Sequence, residues 1–155
     1  MAVSVAFVLG AAPAPAAQAR RVVDVVVVGS PRSEEAHEYA GERVTDGRAD
    51  GRTWREGPGW QRYILTVFDD TDVTVVCTFR GSEGQPRRFA LEVEGRVIPT
   101  RPFASPSAVP VTVEIRVPFS VTRGRTSIGV VLRGVDGPMP GLLELRTVQE
   151  HLELW

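Results

Sequence analysis

The sequence predicts an all-β protein, a two-sheet β-sandwich of jelly-roll type, and three observations carry that prediction. Twenty-five of the 155 residues are Val, and β-branched side chains suit a pleated, half-buried surface. Fifteen Gly and twelve Pro supply the tight turns between short strands. Apolar residues recur at every second position in run after run, without helical periodicity.

The elements follow in order. Val22 to Val28 is a near-continuous Val run, the pattern of a strand covered on both faces or pairing where the chain enters the sandwich. A polar loop follows from Gly29. Tyr63, Leu65 and Val67 alternate with Arg62 and Thr66, and Phe89, Leu91 and Val93 with Arg88, Glu92 and Glu94. In the segment 73–79 the odd positions are apolar, which turns Cys77 inward beside Val75 and Phe79 as an inert core thiol. Glu94-Gly95 joins two apolar runs, and Gly at the second position supplies the positive φ of a two-residue hairpin. Val109 to Val117 is the longest strict alternation; Pro110 and Pro118 interrupt it and mark an edge, because Pro cannot donate to a ladder. Ile128, Val130 and Leu132, then Leu143 and Leu145, complete a count of about eight strands.

The length fits one domain. Residues 1–19 hold no charged side chain, run apolar to Ala12 and end Ala17-Gln18-Ala19, as a secretory leader with an A-x-A site does; a single module from Arg20 to Trp155 and an extracellular location follow as expectations. The leader is too short to span a membrane as a helix. Eighteen basic and nineteen acidic side chains nearly cancel, which removes the electrostatic footprint of a nonspecific nucleic-acid or anionic-membrane binder. Every cation is Arg, the better planar donor to carboxylates and sugar hydroxyls.

Residues 33–63 are the least strand-like part of the chain and concentrate its unusual chemistry, as loops on a rigid sandwich tend to do. Trp54, Trp60 and Tyr63 can offer aromatic faces to the C–H patch of a sugar ring. Arg52, Arg55, Glu34 and His37 can supply directional hydrogen bonds. Each has a structural alternative. Trp60 adjoins, and Tyr63 begins, an alternating strand, so core packing ranks first for both. Trp54, between Arg52 and Arg55 in a Gly-rich loop, divides between a cation–π clamp and a binding platform. Ser33-Glu34-Glu35 reads as a clamp on exposed backbone amides.

These residues also carry a resemblance. Ser33-Glu34-Glu35-Ala36-His37, Gly51-Arg52-Thr53-Trp54-Arg55-Glu56-Gly57 and Gly59-Trp60-Gln61-Arg62-Tyr63 resemble the opening of the β-sandwich module at the C-terminal end of glycoside hydrolases of families 127 and 146, which include β-L-arabinofuranosidases. The likeness continues through the segments 88–95, 113–118 and 137–142 in the family's order. It implies a non-catalytic, carbohydrate-associated module with a galactose-binding-like jelly roll, whose partners are a glycan, arabinose-containing in the nearest case, or a glycoside hydrolase catalytic domain. One departure is Phe79-Arg80-Gly81, where that family tends to have an aromatic residue followed by Trp-Gly.

Three functions therefore compete: glycan binding, docking that braces a catalytic domain without binding free glycan, and, last, an autonomous glycosidase. The third lacks a nucleophile motif, a phosphate loop or a His-bearing metal motif, and a Glu34/Glu56 acid–base pair carries little weight among nineteen acids. His37 and His151 lack zinc-ligand spacing, and no cofactor or metal is expected; calcium on Glu34, Asp46, Asp50 or Asp136 stays open.

Overall fold

The computed structural model describes residues 18–152, with side chains from 20 to 150. The leader read over residues 1–19 thus falls outside the described side chains, and of its backbone only Gln18 and Ala19 are described. Two antiparallel sheets face each other. The first contains β1 (Gln18–Val27), β3 (Thr45–Ala49), β4 (Arg52–Gly57), β6 (Val73–Phe79), β9 (Val111–Val117) and β11 (Met139–Leu152), in the order β3-β4-β11-β6-β9 with β1 also paired to β11. The second runs β2-β5-β10-β7-β8, built from β2 (Ala40–Glu42), β5 (Trp60–Thr66), β7 (Arg88–Val93), β8 (Arg96–Ile98) and β10 (Ser127–Val135). Helices α1 (Pro31–Ala36) and α2 (Phe119–Thr122) are single turns.

The core follows the period-two patterning. Tyr63 and Leu65, Val73, Val75, Cys77 and Phe79, Leu91 and Val93, Ile128, Val130 and Leu132 all point inward and are buried. Burial pushes the Cys77 thiol up to about 12, so it remains a protonated, inert core group. Glu94 (φ 51°) and Gly95 (φ 75°) both adopt the left-handed region, as a type I′ hairpin between β7 and β8 requires. Strand β9 ends its sheet, so the edge marked by Pro110 and Pro118 is a real one.

Two expectations need correction. The Val run is not covered on both faces: β1 pairs with β11 alone, Val26 is fully buried, and Val22 and Val27 are each 47% exposed. Asp24 sits at a register shift in this strand and accepts hydrogen bonds from the amides of Val25 (2.8 Å) and Thr66 (2.7 Å), tying the irregular strand to the end of β5. The segment 33–63 is not a long loop either. It contains β2, β3 and β4, which accounts for eleven strands where about eight were expected. These three strands escape hydropathy reading because Gly, Arg, Thr and Asp dominate them.

Candidate functional site

Most of the polar residues singled out above meet in one cluster and are spent there. Arg55 points inward from β4 and is 5% exposed. Its Nε and Nη2 donate to the two carboxylate oxygens of Asp46 (2.7 and 3.3 Å), and its Nη1 donates to Glu34 (2.6 Å) and to the Tyr63 hydroxyl (3.0 Å). The guanidinium also lies 4.0 Å from the Tyr39 ring centroid. Burial works against this charge, and the carboxylates of Asp46 and Glu34 more than offset it. Tyr63 in turn donates to Gln61 (2.9 Å); burial raises its phenol well above the ordinary range.

The start of the segment closes the cluster from outside. Ser33 Oγ accepts from the Val27 amide (2.9 Å) and Glu34 from the Gly29 amide (2.8 Å), so both act as the backbone clamp expected of them. His37 Nδ1 lies 2.6 Å from the Ser33 carbonyl oxygen and its Nε2 lies 2.9 Å from the Asp24 carboxylate. Burial raises the Asp24 carboxyl, but the Thr66 amide and the His37 ring outweigh it, and the net shift is downward. Glu34, His37, Arg55 and Tyr63 thus converge, and each directs its polar atoms at other parts of the chain.

Trp54 is the main structural surprise. It stands on strand β4, not in a loop, and its indole lies across both neighbouring strands, over Gly47 of β3 and Gly141 of β11; a Cβ at either glycine would collide with the ring. The Arg80 guanidinium covers it, 4.4 Å from the ring centroid, so the clamping cation is neither Arg52 nor Arg55. The indole Nε1 is buried and has no hydrogen-bond partner among the described residues. Arg52 is half exposed and 3.9 Å from Glu144.

Trp60 is placed in the opposite way. It opens β5 on the outer face of the second sheet, flanked in register by Glu42 of β2 and Arg133 of β10. It lines a recess of about 340 Å³ together with Arg43, Pro58 and Gly59. Close backbone approaches build this recess. The Gly59 amide donates to the Arg43 carbonyl (3.1 Å) and the Gly134 amide to the Gly59 carbonyl (2.9 Å), and a Cβ on either glycine would strike backbone oxygen. Arg133 is held by Glu92 (2.9 Å). The side chains of Trp60, Glu42 and Arg43 have no hydrogen-bond, ion-pair or ring partner among the described residues. Trp60 was ranked as core, and Arg43 and Arg133 were not singled out. The signal that could have found them is the Gly57-Pro58-Gly59 turn, which folds the chain over the end of β2. Among the described residues no three potential metal-ligating side chains come together.

The model of the family of unknown function DUF6805 matches residues 17–146, which include the whole clamp and the whole recess. The chain belongs to this family. No curated protein matches the sequence. Among solved structures, this DUF6805 member is similar to a family 35 carbohydrate binding module from Clostridium thermocellum (TM-score 0.60, 12% identity, 82% of this chain and 99% of that one). It is also similar to the family 35 module from Paenibacillus barcinonensis (TM-score 0.56, 10% identity, 83% and 97%). An exo-β-1,3-galactanase from Phanerochaete chrysosporium matches with TM-score 0.56 and 13% identity over 85% of this chain, but over only 29% of the enzyme. The DUF6805 fold is thus the β-sandwich of family 35 modules.

Proposed function

We propose that this DUF6805 member is a non-catalytic carbohydrate-binding or ancillary module and that the Trp60 recess receives the sugar. The observation that carries this reading is the grouping of an aromatic face, a carboxylate and a guanidinium, none of them spent on the protein, in one open recess. The aromatic face suits the apolar side of a sugar ring, and Glu42 and Arg43 suit its hydroxyls. The fold shared with family 35 carbohydrate binding modules supports the class. An arabinose-containing glycan is the first ligand to test. It follows from the arabinofuranosidase-like motifs, and a further structure of the same fold (TM-score 0.56, 14% identity) is a GH115 enzyme with specificity for decorated arabinogalactans. Export of the module, beginning at Arg20, belongs to the same reading.

Affinity electrophoresis and calorimetry with arabinan, arabinogalactan and β-1,3-galacto-oligosaccharides test it. Saturable binding by the wild type that Trp60→Ala loses supports the assignment; binding that survives Trp60→Ala moves the site elsewhere. Absence of binding to every glycan favours the second reading, docking beside a glycoside hydrolase catalytic domain. That reading has its own support, since the matched sandwich makes up 29% of the galactanase chain and 19% of the GH115 chain.

A further inference from the structure

A second cavity of the molecule is unrelated to either tryptophan. It is a groove of about 500 Å³ whose walls are residues 113–116 of β9 and residues 98–103 after β8, with Phe89 in its floor. Successive residues of a strand point to opposite faces, so a cavity lined by four consecutive strand residues lies along the strand's edge and not over one face. That edge is the open one: β9 pairs with β6 on one side and with no described strand on the other. Alternate amide and carbonyl groups of β9 therefore face the groove without a ladder partner. Pro110 and Pro118 bracket the strand, which confines the open edge to its middle. The opposite wall cannot complete the ladder, because Pro99 and Pro102 lack amide hydrogens.

From these features we infer that the groove accepts an extended segment of a partner polypeptide, added as a further strand to β9. The dimensions agree. One extended residue fills roughly 160 Å³ at ordinary strand rise, strand spacing and sheet spacing, so the groove holds about three residues, and residues 113–116 span about 10 Å, the length of three. Chemistry narrows the partner. Ile98, Phe103 and Ile115 offer an apolar inner side, which calls for an apolar residue at alternate positions of the guest. At the rim, Glu114 is engaged by Arg20 and Arg116 by Asp72, whereas Arg101 has no carboxylate partner among the described residues. The guest is therefore an extended strand with alternating apolar and acidic residues. This inference does not depend on the glycan reading.

The test uses the full chain and a blocked seven-residue peptide with threonine at both ends, valine at every second position and aspartate at the two remaining positions. Amide NMR shifts should move saturably at residues 98–103 and 113–116 with millimolar peptide. Two twins, N-methylated at the valines or at the aspartates, each remove the donors along one edge, and one twin must lose binding while the other retains it. A lysine-for-aspartate peptide should bind about threefold more weakly, and Arg101→Glu should reverse that order without changing the melting temperature. Unchanged shifts at these residues, equal binding of both twins, or protection of β9 by a dimer in sedimentation without peptide would each overturn the inference.

Discussion

Trp54 and Trp60 flank one short turn in the sequence, yet they finish on opposite outer faces of the sandwich and in opposite circumstances. The chain crosses from the first sheet to the second at Pro58 and Gly59, which separates them. Around Trp54 the neighbouring strands present Gly47 and Gly141, and with no side chain in the way the indole lies flat and Arg80 covers it. Around Trp60 the corresponding positions are Glu42 and Arg133, whose side chains border the ring and leave its recess open. What decides whether a strand aromatic becomes a packed clamp or an open platform is the residue across the ladder, and not the residues beside it in the chain. Arg52 and Arg55 left Trp54 divided between a cation–π clamp and a platform; the ring is clamped, but by Arg80, because Arg55 points through the sheet into the core.

The largest effect expected on the clamp side is that of Arg55→Ala. It leaves Glu34 and the Tyr63 hydroxyl without their cation in a mostly buried cluster, and should lower stability by about 3 kcal/mol in chemical denaturation. Trp54→Ala comes next, at about 2 kcal/mol for a partly buried indole, with glycan binding unchanged. A Trp54→Ala protein that melts normally and loses glycan would reverse the comparison.

A smaller effect concerns the attachment of the clamp to β1. The carboxyl of Asp24 titrates lower in the folded chain than in the unfolded one, so the unfolded state takes up its proton first as pH falls. Its contribution is complete above the unfolded value, about 4, and is lost as pH drops through the lower folded value. Asp24→Asn should cost about 1 kcal/mol at neutral pH, through weakened bonds to His37 and the Thr66 amide, and should flatten the acid limb of Tm against pH below about 4. An acid limb unchanged by the substitution would mean that His37 and α1 are not held through Asp24.

Eight of the eleven strands were legible in the sequence, most of them through an aliphatic stripe of period two, as in Val73, Val75, Cys77 and Phe79, β1 through its Val run and β8 through the Glu94-Gly95 turn before it. Strands β2, β3 and β4 were not, because the residues on their inward faces are Gly41, Asp46, Arg48, Thr53, Arg55 and Gly57, and a guanidinium satisfied by carboxylates from elsewhere has no hydropathy signature. Glu34, His37, Arg55 and Tyr63 stood out in the sequence as ligand-binding candidates, but their convergence on one another was not legible, since it depends on Asp46 and Glu34 reaching Arg55 from other elements. For Trp60 the missing information was the register that sets Glu42 and Arg133 beside it.

The smallest expected change in stability is the one that bears most on function. Trp60 begins its strand on an outer face, is only half-buried, and its side chain makes no hydrogen bond or ring contact with the described residues, so Trp60→Ala removes little packing. Its cost should stay near 0.5 kcal/mol, the scale of surface substitutions, against the larger loss at Trp54. Glycan affinity should move the other way: removing a stacking face of about 1 to 1.5 kcal/mol lowers the association constant roughly tenfold. Arg43→Ala should leave Tm unchanged and weaken binding less, through lost bonds to hydroxyls. Paired thermal melts and calorimetry on Trp54→Ala, Trp60→Ala and Arg43→Ala read both quantities at once. If Trp60→Ala unfolds the protein as readily as Trp54→Ala does, the recess is part of the core and the contrast between the two tryptophans fails.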